Sequence, residues 1–170
     1  MITLMRLPAK VVNTLISRLS DEQAAFYFYI QASAWCRLNG YECTSKYFTV
    51  ESHGEEYHFK QIVKFLTDWN EKVDFPDIKG AIKTFKDLPD IIAQQYEMEC
   101  ALLKQYEKDA ADIFPISQTG YQFLQDYVRM QNSSVVEVGE VVNKLENYLK
   151  TDPGLMLFDR DVFGMYENYY

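Results

Sequence analysis

Four stretches of this chain carry the apolar stripe of a packed helix, and each stripe is interrupted near its middle by a group that can bind a cation. The groups are Glu22, the pair Glu55 and His58, Glu99, and Gln131. A carboxylate buried alone is costly, so interior carboxylates are paired, hydrogen-bonded or bound to metal. Three carboxylates and an imidazole at about one depth therefore constrain the fold. The four helices must pack side by side, in register, with these groups meeting in one central layer.

The first expected helix covers about 9–38, with Pro8 in its first turn and a stop at Asn39-Gly40. Its stripe reads Val12, Leu15, Leu19, Glu22, Phe26, Tyr29, Ser33, Cys36, in the alternating steps of three and four of a bundle seam. The second covers about 44–70, with the stripe Phe48, Glu51 or Ser52, Glu55, His58 or Phe59, Ile62, Phe65, Trp69. A connector over 71–86, holding Pro76 and Gly80, is long for a bundle loop. At about 3.3 Å per residue it can run the length of a helix of about 40 Å, which makes the second and third helices parallel.

Asp87 is placed to cap a third helix over about 88–113, with the stripe Ile92, Tyr96, Glu99, Leu103, Tyr106, Ala110. After Pro115, Ser117 is placed to cap a fourth over about 118–149, with the stripe Leu124, Val128, Gln131, Val135, Val138, Val142, Leu145, Leu149. Asp152-Pro153 reads as cap and first position of a short fifth helix over about 153–163, followed by a loose tail from Tyr166 to Tyr170. The expected fold is all-α: one domain over 1–170, a four-helix bundle with one long crossover and a short fifth C-terminal helix.

The totals exclude several functions. At 170 residues the chain fits one domain with a sizeable core. A net charge of −8 argues against a nucleic-acid partner and favours attraction of cations. The longest apolar run, Ala24 to Trp35, is too short for a bilayer and is broken by Gln31 and Ser33. The segment Met1 to Lys10 has no secretory apolar core, and the three cysteines make no disulfide framework. The expected setting is a reducing, cytoplasmic one without a membrane.

Glu55 and His58, at i and i+3, lie on one helix face and can share a metal. Glu22 and Glu99 arrive from other helices, and Glu55 is a candidate bridge between two metals. Oxygen ligands with one imidazole suit iron, manganese or zinc. His53, about 140° around the helix from His58, reads as a surface residue. Phe26-Tyr27-Phe28-Tyr29-Ile30 is apolar on every face, which points to a helix buried on two sides and hence to subunit contacts.

These residues resemble those of the ferritins, whose di-iron bundles are a known example of such sites. The resemblance runs through Ser33-Ala34-Trp35-Cys36, Glu55-x-x-His58, Tyr96-x-x-Glu99, Phe123-Leu124-Gln125, Tyr127-Val128 and Gln131, and is nearest to non-haem bacterial-type ferritins. It implies a homo-oligomeric cage of 24 subunits that binds Fe(II), oxidises it with O₂ or H₂O₂, and stores it as ferric mineral. It also implies one iron held by Glu22, Glu55 and His58 and a second by Glu55 and Glu99, with Gln131 ordering a water. Tyr29 matches a tyrosine that can supply an electron. The position of the haem-ligating Met of bacterioferritins is Glu56, so no haem is expected.

The chain departs from its relatives' patterns in places. Gln131-x-x-Ser134 stands where bacterioferritins carry a second Glu-x-x-His. Gly54, Met130, Ser133 and Ser134 occupy the positions that would form a third iron site, which is expected to be absent, as in the animal heavy-chain type of centre. Tyr57 and Lys60 lie where inward nucleation carboxylates are usual. Three rival readings are weaker. A non-catalytic storage subunit would need a broken ligand set, a rubrerythrin-like peroxidase would bring a Cys-x-x-Cys module, and a DNA-protecting mini-ferritin would carry its site between subunits.

Overall fold

The computed structural model describes residues 3–78, 82–150 and 153–168. Gly80 of the connector and Asp152, the expected cap of the fifth helix, lie outside them. Five helices follow in chain order: α1 (Ala9–Leu38), α2 (Glu42–Asp68), α3 (Leu88–Ile113), α4 (Gln118–Tyr148) and α5 (Gly154–Phe163), with a 3₁₀ turn at Gly164–Asn168. There is no strand among the described residues, and none of the described helices is long and apolar enough to cross a membrane.

The helix ends follow from local chemistry. Gly40 takes φ +82°, the left-handed turn that stops α1. Asp87 accepts from the backbone N–H of Asp90 at 2.9 Å and Ser117 from that of Gly120 at 3.1 Å, so α3 and α4 each open on a side-chain cap.

The topology is fixed by two apolar cores. One joins the end of α1 (Phe28, Tyr29, Ala32, Cys36) to the start of α2 (Cys43, Tyr47, Phe48), the start of α3 (Leu88, Ile91, Ile92) and Leu145 of α4. The other joins the start of α1 (Val11, Leu15, Leu19) to the ends of α2 (Ile62, Leu66) and α3 (Tyr106, Ala110, Ile113) and the start of α4 (Leu124, Tyr127). So α2 and α3 run parallel, and the crossover between them travels along α1. Glu71 accepts from the N–H of Leu7 at 3.0 Å, Ser20 donates to the carbonyl of Asp77 at 3.0 Å, and the N–H of Lys83 donates to Gln31 at 3.0 Å. Each fully buried Leu, Ile or Phe contributes about 1.5–3 kcal/mol, so the two cores carry the stability of the bundle.

Several stripes are rotated by one residue from their expected register. The buried line of α1 is Val11, Leu15, Leu19, Glu22, Ala25, Tyr29, Ala32, Cys36. Phe26 and Ser33 are displaced to its edge, where Phe26 meets Phe59 edge-on. On α3, Gln95 and Leu102 are interior, while Tyr96 is exposed and Leu103 only half-buried. On α2, Leu66 takes the interior place expected for Phe65, which stacks on Phe123 instead. On α4, Tyr127 is interior, Val128 half-buried and Leu149 exposed. Large apolar side chains can cover a seam from its flank, and that displaces them from the centre line. Nor is Tyr166 loose, because its ring meets Tyr47 at 5.4 Å.

α5 is tied down by a buried carboxylate. Asp159 accepts from the N–H and the hydroxyl of Thr44, both at 2.7 Å, and from the N–H of Cys43 at 3.3 Å. It thereby caps α2, whose own preceding residue offers no side-chain cap.

Candidate metal centre

Between the two cores lies a polar layer built from all four long helices. Glu22 and Tyr29 come from α1, Glu55 and His58 from α2, Gln95, Glu99 and Tyr106 from α3, and Gln131 from α4. Glu22 and Glu99 are 1% exposed, Gln131 5% and Glu55 7%, so four polar groups sit at true interior depth. Two of the helices carry the same internal spacing: a glutamate, then a tyrosine seven residues on. The tyrosines cross over. Tyr29 on α1 donates to Glu99 on α3, and Tyr106 on α3 donates to Glu22 on α1.

Glu22, Glu55 and His58 present ligand atoms that all lie within 4.8 Å of one another. The Nδ1 of His58 is 3.1 Å from Glu55 and 3.3 Å from the Oε2 of Glu22, and that buried Oε2 has no hydrogen-bond partner. An acceptor left open in the interior, facing an imidazole nitrogen and a second carboxylate, fits a cation. The residue types fit a hard or borderline divalent ion. Tyr127 donates to the carbonyl of His58 at 2.6 Å, holding α4 against this turn of α2.

Glu99 stands apart from that cluster. Tyr29 donates to one of its oxygens and Gln131 to the other. The Gln131 amide is thus committed to Glu99, where sequence reasoning gave it the task of ordering a water. All six residues singled out from the sequence, Glu22, Tyr29, Glu55, His58, Glu99 and Gln131, lie in this one layer, but only three form a ready metal-sized cluster.

Protons occupy the layer when no ion does. Burial would depress the His58 pKa, but the adjacent Glu22 and Glu55 carboxylates outweigh it and push it up to about 10. Burial, and then the charge of Glu22, push Glu55 well above the usual carboxylate range. Burial also raises Glu99, against the hydrogen bonds from Tyr29 and Gln131. Glu22 goes the other way: burial opposes ionisation, yet His58, Glu55 and the Tyr106 hydroxyl around it hold its pKa below the ordinary value. At neutral pH the layer therefore sets an imidazolium against the Glu22 carboxylate.

Sequence reasoning missed four residues here. Tyr106 reads as one more apolar member of its stripe and Tyr127 lies off the expected stripe of α4, yet each hydroxyl is hydrogen-bonded at the site. Gln95 was passed over for Tyr96, yet it is fully buried and donates to the hydroxyls of Tyr29 and Tyr47 at 3.3 and 2.7 Å. Glu51 is one of two residues that the stripe allows at its position. Burial, then the charges of Glu99 and Glu137, push its pKa up to about 7. The repeated Glu-to-Tyr spacing on α1 and α3 is the signal that could have exposed Tyr106. At the positions of the expected missing third site, Ser133 donates to Glu137 at 2.8 Å and Ser134 to the carbonyl of Met130 at 3.4 Å. Glu56 is ion-paired to Lys60 at 2.5 Å on the outward side of α2, and His53 is exposed.

Comparison with known proteins gives the arrangement a context. A family model described as Ferritin-like domain matches residues 12–148. A probable bacterial non-heme ferritin-like protein of Haemophilus influenzae is 27% identical over 158 residues, covering 92% of this chain and 95% of its own. A bacterial non-heme ferritin of Campylobacter jejuni is 24% identical over 155 residues, covering 91% and 93%. Among solved structures, an open-pore ferritin from the archaeon Archaeoglobus fulgidus superposes with a TM-score of 0.85 at 19% identity, over 91% of this chain and 96% of that one.

Proposed function

The chain belongs to the ferritin-like domain family, as a non-haem bacterial-type ferritin, and on that premise we propose that it stores iron by oxidising Fe(II) at the polar layer and passing Fe(III) into a protein cage. Iron is its substrate and cargo. The observation that carries the reading is the three-ligand cluster of Glu22, Glu55 and His58 in the wall between two apolar cores.

In this mechanism the first Fe(II) enters among Glu22, Glu55 and His58, displacing the proton on His58. The second is held by Glu55, acting as bridge, and by Glu99. Two Fe(II) each give up one electron, and O₂ takes both with two protons to become hydrogen peroxide. Peroxide can serve as oxidant in turn. The protein holds both ions near bridging distance and leaves positions open to the oxidant. Tyr106 and Tyr29 fix the orientation of Glu22 and Glu99, as outer hydrogen bonds orient metal ligands. Gln131 steadies Glu99 from α4. The negative charge of Glu51, when ionised, draws cations toward the Glu99 side of the layer.

The assembly is part of the proposal. Tyr27, Ile30 and Tyr57 are 43%, 44% and 59% exposed on α1 and α2 of the single chain, an apolar surface that contact with further copies would cover. A closed homo-oligomer of 24 chains follows from the resemblance, as does a cytoplasmic location.

The test is the aerobic rate of Fe(II) oxidation at two irons per chain, for the wild type and for Glu99→Ala. Fast oxidation that saturates near two irons and collapses in the variant is the expected result. A wild-type rate no faster than buffer would remove the catalytic claim.

A further inference from the structure

α1 and α3 run antiparallel, and polar side chains bridge them at three levels. Arg18 pairs with Asp109 at 3.0 Å, Tyr106 donates to Glu22, and Tyr29 donates to Glu99. Ala25 and Leu102 stand between the last two bridges, three residues on from Glu22 and from Glu99 respectively. At that level the two helices leave an outward-opening groove of about 400 Å³. Ala24, Met98 and Ala101 line its walls. Its floor is Ala25 and Leu102, the two lining residues that are buried, at 1% and 7% exposed. The floor therefore covers the part of the polar layer that lies between the two glutamates assigned to iron.

A groove between helices is ordinary at a protein surface, and alanines let two backbones approach. What sets this one apart is where it bottoms out. A passage for Fe(II) is one account of it. Cations gather where negative charge is in excess, but here the charges balance. Arg18 and Lys83 of the lining stand against Asp21 and Asp109, with Arg18 2.5 Å from Asp21, and Gln105 donates to Asp109 at 3.1 Å. The mouth is thus formally neutral in a chain of net charge −8. The walls and floor, built of Ala, Met and Leu, offer no side-chain oxygen, so a cation would shed its water there with nothing to replace it. A small apolar molecule meets no such cost. Spaces lined by aliphatic side chains readily take up guests such as xenon.

We propose that this groove is the docking and entry site for dioxygen, which passes between Ala25 and Leu102 to the space between Glu22 and Glu99. The proposal rests on the ferroxidase reading above. Ala25 has no rotamer to change, so Leu102 is the floor side chain that must turn to let the gas through. The oxidant then reaches the layer from the α1–α3 side, whereas the three gathered ligands come from α1 and α2.

The experiment follows Fe(II) oxidation by stopped flow at two irons per chain over a range of dissolved O₂, with the full chain. Ala24→Phe/Ala101→Phe plugs the groove from both walls, and Leu102→Ala lowers its floor. Crystals of each protein are also pressurised with xenon, a probe that needs no iron. Zn(II) affinity and uptake rate report on the metal layer. The expected result is xenon in the wild-type groove and none in the plugged variant. The KM for O₂ rises about tenfold in the plugged variant and falls in Leu102→Ala, with the rate at saturating O₂ and the Zn(II) affinity unchanged. A wild-type groove empty under xenon, or a plugged variant that keeps the wild-type KM for O₂, would overturn the proposal. So would a plugged variant whose defect is slower Zn(II) uptake, since the groove would then be a path for the cation. Should the plugged chain fail to fold, the xenon result and the KM of Leu102→Ala decide between the same outcomes. Wild-type oxidation no faster than buffer would instead overturn the ferroxidase reading, and O₂ entry with it, whatever the xenon shows.

Discussion

Tyr106 on α3 reaches across the bundle to hydrogen-bond Glu22 on α1, while the other oxygen of Glu22 faces His58. The phenol therefore fixes which oxygen is left for a cation. Removing an outer hydrogen bond of this kind typically weakens metal binding by about 10–100-fold. Tyr106→Phe keeps the ring, and with it the stack on Tyr127 at 5.1 Å. Its affinity for Zn(II), a redox-inert probe, is expected to fall within that range in competition with a chelating indicator. An unchanged affinity would mean that Glu22 serves Tyr106 and not the reverse.

The protons in the layer make the metal-free protein sensitive to pH, and the sign can be worked out. His58 has its pKa raised from 6.5 to about 10 by Glu22 and Glu55, so its contribution to stability is complete below about pH 6.5 and is lost as pH climbs through 10. Glu51, raised from 4.5 to about 7, favours the folded state while protonated and costs stability as it ionises over that interval. Glu55, also raised, acts in the same direction. Glu22, lowered, opposes them only as pH falls below the ordinary carboxylate range. Thermal melting of the metal-free chain should therefore drop steadily from pH 6 to pH 10. Saturating Zn(II) should flatten the decline, because the ion replaces the proton on His58. A metal-free Tm that is flat or rising over this range would contradict the assignment.

Asp159 anchors α5 by capping α2. Asp159→Ala leaves two backbone N–H groups and the Thr44 hydroxyl without their acceptor, a loss of about 1–3 kcal/mol. The expected signature is local as well as global: a lower Tm, and faster hydrogen exchange in α5 than in α1 or α3. Equal acceleration across all helices would show that α5 is not held separately at this point.

The bundle was legible in the sequence because its stripes are long and its ends carry strong signals, such as Asn39-Gly40, Asp87 and Ser117. The depth of Glu22, Glu55, Glu99 and Gln131 was legible for the same reason, since a polar residue in mid-stripe stands out. The exact seam was not. Hydrophobicity favoured Tyr96 over Gln95, Phe26 over Ala25 and Phe65 over Leu66, whereas the interior took the smaller residue, or the one with polar partners. Such partners are invisible along one helix. Gln95 belongs inside because Tyr29 and Tyr47 meet it there, and those contacts join residues 66 and 48 positions apart. The hydroxyl of Tyr106 was hidden likewise, because a tyrosine in a stripe looks the same whether its oxygen is bonded or not, and Tyr127 stood beside the expected stripe rather than in it.

The two iron positions should separate in affinity. Glu22, Glu55 and His58 are already gathered, and one oxygen of Glu22 is free of hydrogen bonds. Glu99 accepts from both Tyr29 and Gln131, so a second ion must compete with those bonds and with the raised pKa of the carboxyl. Calorimetric titration with Zn(II) should resolve a tighter and a weaker site. Glu99→Gln, which keeps the shape of the side chain, should remove the weaker site and leave the tighter within about threefold, since Glu99 is not among the three ligands already gathered. Glu55→Gln should abolish both, because in the proposed centre that carboxylate serves each ion. His58→Ala should abolish the tighter site first. Two equal sites in the wild type, or a tight site that disappears in Glu99→Gln, would mean that Glu99 moves into the first cluster on binding and that the centre is assembled by the ion.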